Sequence, residues 1–237
     1  MSDQLGSSRP VFPSVFLRLL RSVLIGLGCL SQVSVMAQES HTTQWPMFRG
    51  PAGLAVGMAD SLPLEFNDQK NALWHLETPR GHSSPVIWDK TLFLTGYDDA
   101  ELCLLAIDKK RGSILWKRTF PKAQDEDFEH EDSCPAAPTP CTDGERVYAY
   151  FGRHGLVAHD MEGNLVWEHK YPSRPAAFGT GTSPVLHEGR IYLQRDTDRL
   201  SALYCYDAKT GEEIWMTPRQ IGRAVWTPVT PISRMPS

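Results

Sequence analysis

The sequence predicts an all-β fold, a β-propeller made of four-stranded blades, because one pattern of residues occurs three times. In each copy a Ser-Pro or Thr-Pro pair precedes a short hairpin, and an Asp, a Gly and a Trp follow at nearly fixed spacing. The prolines of the three pairs, Pro85, Pro140 and Pro184, lie 55 and 44 positions apart. Short strands at such a period are typical of propeller blades. About three complete blades and parts of others are predicted, which is an incomplete propeller.

The motif residues in each copy are predicted to be structural. The Asp can bind backbone N–H groups of the turn between the third and fourth strands, and the Gly suits a positive φ that closes this turn. The Trp falls on the outermost strand, where it can pack on the neighbouring blade and find a partner for its N–H. The three sets are Asp108, Gly112 and Trp116; Asp160, Gly163 and Trp167; and Asp207, Gly211 and Trp215.

Each copy is expected to contain four short strands, rich in β-branched and aromatic residues. Turns such as Asp143-Gly144 separate the apolar runs, and Asp-Gly between such runs is a strong hairpin signal. An outer strand of a preceding blade is predicted around Trp74, and the start of another repeat at residues 226–228. The main predicted strands are 86–88, 91–95, 102–107, 114–117, 147–151, 191–193, 203–206 and 213–216.

The N-terminal 37 residues are predicted to be a secretory signal peptide. Arg18 and Arg21 precede an apolar run at 23–30, and Val35-Met36-Ala37 is a small-residue cleavage site. The apolar run is shorter than the roughly 20 residues that span a bilayer. We therefore expect an exported protein of the periplasm or cell envelope with no stable membrane span after cleavage. Lipidation at Cys29 stays open. The predicted divisions are a signal peptide at 1–37, an N-terminal segment at 38–70, repeats at 71–230 and a tail at 231–237.

The Asp-x-x-x-Gly-x-x-x-Trp motif resembles the tryptophan-docking motif of the quinoprotein-dehydrogenase-like (PQQ-like) β-propellers. That superfamily includes the pyrroloquinoline quinone (PQQ) dehydrogenases and BamB, a non-enzymatic lipoprotein of outer-membrane barrel assembly. The segment Trp45-Pro46-Met47-Phe48-Arg49-Gly50-Pro51 resembles the start of its BamB-like branch, and Asn71–Trp74 and Gly81–Val86 also match. The resemblance covers about residues 45–228 and implies the fold more strongly than a function.

Charge and composition restrict the partners. The net charge is −4 and no basic patch is present, which argues against nucleic-acid binding. The acidic run at 125–132 could hold a hard cation such as Ca²⁺, although a solvated insertion is favoured. In the resembling branch this loop commonly carries a His and a Ser, matched here by His130 and Ser133. We expect blade loops such as residues 124–138 to bind an envelope protein or glycan.

The cysteines allow several arrangements. Removal of Cys29 with the signal peptide leaves four, which permit three pairings. Cys134 and Cys141 lie close in sequence and could form a disulfide in an oxidising compartment. Cys103 and Cys205 fall in third strands of different blades and are expected to pack as small apolar residues.

Enzymatic function is not predicted. The resemblance to PQQ alcohol dehydrogenases would imply adjacent cysteines and a Glu/Asn/Asp set around Ca²⁺, and the chain has no adjacent cysteines. No catalytic, cofactor-binding or metal residues are therefore assigned, and PQQ is not expected. The preferred function is an exported non-catalytic scaffold. The alternative is a PQQ-dependent oxidoreductase-like enzyme or a fragment of one.

The number of repeats is small for a closed ring, since closed propellers have typically 4–8 blades. Three explanations are open: a truncated gene product, closure by a second copy of the chain, or completion by a separately encoded partner. Truncation is the favoured expectation.

Overall fold

The computed structural model describes residues 44–57, 63–122, 134–171, 180–196 and 201–219. The predicted signal peptide, the acidic run at 125–132 and the repeat start at 226–228 lie outside these ranges. The chain divides into residues 1–41, which are outside the described ranges, and a compact unit formed by residues 42–237.

Three four-stranded antiparallel sheets make up the described fold, one for each copy of the sequence motif. Within each sheet the strands follow chain order, so every neighbour is joined by a hairpin. We call these sheets blades 1, 2 and 3. Blade 1 contains β1 (Val86–Trp88), β2 (Thr91–Tyr97), β3 (Glu101–Asp108) and β4 (Ile114–Pro121); blade 2 contains β5 (Cys141–Thr142), β6 (Arg146–Tyr150), β7 (Leu156–Asp160) and β8 (Leu165–His169); blade 3 contains β9 (Val185–His187), β10 (Arg190–Arg195), β11 (Ser201–Asp207) and β12 (Glu213–Arg219).

The all-β fold of four-stranded blades predicted from the repeats is confirmed. Each blade also carries the same irregularity, a register shift between its third and fourth strands. In blade 1 the shift falls after Ala106, which pairs with Trp116, while Ile107 pairs with Ile114. A β-bulge increases local twist and turns a side chain toward a new direction. The bulge therefore sets the direction of the motif Trp in every blade.

The core lies between the blades. One apolar cluster joins blade 1 to blade 2, with Phe93 and Leu104 facing Val147 and Phe151. A second joins blade 2 to blade 3, with Tyr148 and Leu156 among its largest members. The blades bury their faces against each other because an isolated sheet has no other way to remove two apolar faces from water.

The segment before blade 1 differs from the prediction. Residues 71–79 form no strand, although an outer strand was expected around Trp74. Directly after the segment, Arg80 forms a single β-bridge with Tyr97 of blade 1. The segment itself contacts blade 1 through its side chains. Trp74 and Leu76 pack on a third apolar cluster at the front of blade 1, formed by buried Cys103, Leu105 and Ile107.

Candidate functional site

The motif aspartates hold the turns that open the fourth strands. Asp108 Oδ1 accepts hydrogen bonds from the backbone N–H groups of Lys110 and Arg111 at 2.9 and 2.7 Å. Asp207 Oδ1 accepts the equivalent bonds from Lys209 and Thr210 at 2.9 and 2.8 Å. These backbone bonds lower the pKa of both carboxyl groups because they stabilise the ionised form. The aspartates are thus engaged in turn formation.

The motif glycines receive the Trp of the preceding blade. Gly163 has φ 82°, and a Cβ built on it would lie 2.8 Å from the Trp116 ring. Gly211 has φ 76°, and its Cβ would lie 2.7 Å from the Trp167 ring. Any larger side chain would therefore push the indole away from the turn. Both features, the positive φ and the close approach, require glycine at these positions.

Each docked indole also donates a hydrogen bond to the neighbouring turn. Trp116 Nε1 donates to the carbonyl oxygen of Met161 at 2.8 Å, and Trp167 Nε1 donates to that of Ala208 at 3.0 Å. In both cases the acceptor is the residue directly after the motif Asp. The indole thus combines apolar burial with a satisfied N–H, and it joins consecutive blades at a defined register.

The side chain two positions after Trp116 and Trp167 also contacts the turn of the next blade. The sequence analysis did not recognise this contact. Arg118 Nε donates to the carbonyl oxygen of Gly163, and its guanidinium lies 5.5 Å from the Trp116 ring centre. His169 Nε2 lies 2.5 Å from the carbonyl oxygen of Gly211. Side chains at positions i and i+2 of a strand lie on the same face. This alternation is the sequence signal from which the contact could have been predicted.

The Ser/Thr-Pro pairs link the inner ends of the blades. The backbone N–H of Ser84 donates to Thr139 Oγ1 at 2.9 Å, and the backbone N–H of Thr139 donates to Ser183 Oγ at 2.9 Å. Thr139 and Ser183 are buried. The hydroxyls of Thr139 and Ser183 therefore each satisfy a backbone donor of the preceding blade, which explains why a hydroxyl residue precedes the proline in blades 2 and 3.

The segment that begins at Trp45 pairs with the first strands of blades 1 and 2, β1 and β5. Trp45 and Ile87 exchange two backbone hydrogen bonds at 2.8 and 2.9 Å, and the carbonyl oxygen of Pro46 accepts from Thr142 N–H at 2.9 Å. The Trp45 ring lies over Gly50, where a Cβ would be 2.6 Å away. The segment thus satisfies backbone groups that an open strand edge would expose.

A family described as "Outer membrane protein assembly factor BamB" matches residues 33–224. The chain belongs to this family. The match includes all three blades and the segment at Trp45. The docking contacts described above therefore lie within the part of the chain that matches the family. A search of curated proteins finds no match.

Solved structures of two dehydrogenases share the fold. The europium-containing methanol dehydrogenase matches with a TM-score of 0.58 and 15% identity, over 76% of this chain and 33% of its own. Quinohemoprotein alcohol dehydrogenase from Comamonas testosteroni matches with a TM-score of 0.57 and 20% identity, over 77% of this chain and 28% of its own. BamB from Moraxella catarrhalis matches with a TM-score of 0.42 and 20% identity, over 61% of this chain and 38% of its own. The chain spans about a third of the length of these proteins.

Two histidines occupy the interface between blades 1 and 2 of this BamB-family chain. His159 is buried, and its ring lies 5.7 Å from Phe120 and 6.5 Å from Trp116. Burial lowers the pKa of His159 to about 4, with a further contribution from nearby Arg118. His154 packs 4.8 Å from Phe120, and burial lowers its pKa as well. Both rings therefore act as neutral aromatic packing groups.

The disulfide that Cys134 and Cys141 could have formed is absent from the structure. Cys134 is buried in the cluster between blades 1 and 2, whereas Cys141 is buried in the cluster between blades 2 and 3. The two side chains therefore belong to different faces of blade 2, although they are close in sequence. Cys103 and Cys205 are buried, in agreement with their expected apolar packing.

The described end of the loop at 124–138 is part of the core. Cys134 and Ala136 are buried, and the Thr95 hydroxyl donates to the carbonyl oxygens of Ala136 and Pro138 at 3.3 and 2.9 Å. Residues 123–133, including His130 and Ser133, lie outside the described ranges. Of the expected binding loop, residues 134–138 therefore serve the interface between blades 1 and 2.

The resemblance to PQQ dehydrogenases implies two adjacent cysteines and a set of Ca²⁺ ligands. Cys103 and Cys205 lie in β3 and β11, two strands of different blades, and in the described ranges no group of three His, Cys, Asp or Glu side chains could hold a metal ion. No chemical step is therefore assigned to that cofactor. Among the same residues, no helix is long and apolar enough to cross a membrane.

Proposed function

We propose that this chain is an exported, non-catalytic β-propeller scaffold that binds an envelope protein or glycan through one face of its blades. The proposal rests on the structural roles that the motif residues have in this fold. The aspartates bind turn N–H groups, the glycines receive indoles, and the Ser/Thr hydroxyls join the inner strands. Membership of a family described as an outer membrane protein assembly factor supports the same function.

The binding face is assigned to the end of the blades opposite the Asp-Gly turns. The turns at the Asp-Gly end are of nearly constant length and are occupied by indoles. At the other end, the connections from second to third strands differ in length and composition, with residues 98–100 in blade 1 and 151–155 in blade 2. Loops that vary on a rigid scaffold are where binding residues are usually found. We call this end the loop face.

The described loop of blade 1 is ordered and exposed, which suits a recognition surface. Asp98 Oδ1 accepts from the N–H groups of Ala100 and Glu101 at 3.0 and 2.9 Å. Arg80 lies 4.9 Å from the centre of the Tyr97 ring and binds Asp99 at 3.1 Å. The loop therefore presents charged groups that are held by hydrogen bonds and packed against the buried Tyr97 ring.

Site-specific photo-crosslinking in cells tests the proposal. A photoreactive amino acid at Asp99, on the loop face, is expected to give an adduct with an envelope component. The same amino acid at Glu162, an exposed residue of the opposite face, is the matched control and is expected to give none. Absence of an adduct at Asp99, or equal adducts at both positions, would contradict the assignment of the binding face.

Two further measurements separate the scaffold from the alternative enzyme. Mass spectrometry of the chain recovered from the envelope fraction is expected to show that it begins at Gln38. Retention of an intact N-terminus in the cytoplasm would contradict export. The purified chain, supplied with PQQ and Ca²⁺, is expected to show no dye-linked alcohol oxidation. Turnover that depends on added PQQ would establish the alternative.

A further inference from the structure

The ring of Phe120 joins the end of β4 to blade 2. Phe120 is buried and lies among three aromatic side chains of blade 2. Its ring centre is 4.8 Å from that of His154, 5.1 Å from that of Phe151 and 5.7 Å from that of His159. Two of the three neighbours are therefore imidazoles, which can gain a proton in mild acid. We call Phe120, Phe151, His154 and His159 the histidine joint.

The fold fixes both imidazoles in a position that suits only their neutral form. His159 lies on β7 and is 3% exposed. His154 belongs to the loop 151–155, which is closed by a hydrogen bond from the Phe151 N–H to the Gly155 carbonyl oxygen at 2.9 Å. Within the described ranges, His159 Nδ1 and His154 Nε2 are buried and have no hydrogen-bond partner. In an imidazolium both ring nitrogens carry hydrogen, so each atom would become a buried donor without an acceptor.

The charges around the two rings do not compensate for this burial. In the described part of the chain four charged side chains act on them: Arg118 of β4, Asp160 of β7, Glu168 of β8 and Lys170, which follows β8. The two cations oppose protonation and the two carboxylates favour it, so their effects partly cancel. Burial dominates, and it lowers the pKa of His159 to about 4 and also lowers the pKa of His154. Rings that water reached would instead take up a proton near the ordinary pKa of histidine.

The equivalent interface between blades 2 and 3 has tyrosines in these places. Tyr171 is the counterpart of Phe120, since each lies four positions after its motif Trp. Tyr206 is the counterpart of His159, since each directly precedes its motif Asp. The hydroxyl groups of the two tyrosines share a hydrogen bond, and phenols gain no proton in mild acid. His169 also belongs to this interface, but its Nε2 lies 2.5 Å from the carbonyl oxygen of the motif Gly, a bond that protonation of the ring preserves.

We propose that the histidine joint is an acid-sensitive contact: in mildly acidic solution, protonation of His154 and His159 releases Phe120 and separates β4 from blade 2, while blades 2 and 3 stay packed. The closed interface excludes the protonated rings and the open interface accepts them, so acid shifts the equilibrium toward opening. The loop 151–155 and the end of β4 lie at the loop face, and opening alters that face. This consequence for binding rests on the function proposed above, whereas the joint itself does not.

Thiol labelling of the full chain tests the proposal and needs no binding partner. Cys134 is buried in the cluster between blades 1 and 2, and Cys141 in the cluster between blades 2 and 3. Dithiodipyridine reacts with thiols in acid as well as at neutral pH, and peptide mass spectrometry assigns each rate to its cysteine. Rates are divided by those of the same thiols in the urea-unfolded chain, which removes the effect of pH on the reaction itself.

The expected change follows from the protons that opening takes up. With a pKa of about 4 in the closed interface and 6.5 in the open one, His159 alone raises the opening constant roughly 20-fold between pH 7 and pH 5. At low reagent concentration the labelling rate follows the opening constant. We expect the relative rate at Cys134 to rise by at least this factor and that at Cys141 to stay unchanged. Equal acceleration at both thiols, or none at Cys134, would overturn the proposal.

Replacement of the imidazoles gives a second test. In the double variant His154→Phe, His159→Leu, labelling of Cys134 should no longer accelerate in acid, because neither new side chain can be protonated. His159→Leu alone should reduce the acceleration. His75→Gln, which replaces an exposed histidine of the segment before blade 1, is the matched control and should respond like the wild type. Far-ultraviolet circular dichroism at pH 7 establishes that the variants fold. An acid response that persists in the double variant, or one that His75→Gln abolishes, would contradict the assignment to the histidine joint.

Discussion

Truncation of the motif Trp in two different blades tests whether docking on the neighbouring turn stabilises the fold. In Trp116→Ala the chain loses the indole bond to Met161, at 2.8 Å, and the ring contact with Phe93, at 5.9 Å. Removing a buried aromatic side chain costs about 3–5 kcal/mol, and Trp116 is only part-buried, so we expect about 3 kcal/mol. Trp215→Ala removes the same side chain from an exposed position, and we expect about 1 kcal/mol or less.

Urea unfolding followed by far-ultraviolet circular dichroism measures the difference. With an m-value of about 2 kcal/mol per M for a chain of this size, Trp116→Ala should lower the unfolding midpoint by about 1.5 M and Trp215→Ala by at most about 0.5 M. Trp116→Phe keeps a ring and loses the N–H, so about 1 kcal/mol is expected. Equal shifts for the two alanine variants would refute the docking argument.

Three other changes have defined outcomes. Gly163→Ala is expected to destabilise the chain by about 1–3 kcal/mol more than Gly189→Ala, because both glycines have positive φ but only the former contacts an indole; equal midpoints in urea would contradict this. Ser183→Ala leaves the buried N–H of Thr139 without its acceptor, and a loss of about 1–3 kcal/mol is expected in the same assay. The pKa of His159 is about 4 in the folded chain, below its unfolded value of 6.5. The contribution of this group to the free energy of unfolding is therefore fully present above pH 6.5 and is lost as the pH drops toward 4. About 2 kcal/mol should be lost between pH 7 and 5; His159→Leu should reduce this loss, and an unchanged pH profile would show that another group titrates.

The blades were predictable from the sequence because their signals are local. Strand alternation, hairpin turns and the Asp-Gly spacing each depend on residues within one repeat, and the repetition of the pattern supplied the fold. The role of Trp116 and Trp167 was predictable for the same reason, since a large indole on an outer strand has few other places to pack.

The remaining contacts join residues that are far apart in sequence. The bond from Arg118 to the Gly163 carbonyl and the pairing of Trp45 with Ile87 depend on how separate elements meet. Trp74 has the sequence environment of an outer strand, yet a strand requires a hydrogen-bonding neighbour, and in the described ranges its segment has none. Cys134 and Cys141 were considered a pair because of their spacing, but they face different blade interfaces.

Hydrogen exchange of the indole N–H groups, observed by nuclear magnetic resonance, tests most directly that the motif builds interblade contacts. The chain has seven Trp residues, and assignment by single substitutions identifies each resonance. We predict slow exchange for Trp116 and Trp167, whose N–H groups bind carbonyl oxygens, and fast exchange for Trp215, which is 36% exposed. Fast exchange of Trp116 and Trp167, or protection of Trp215 equal to theirs, would contradict this role of the motif.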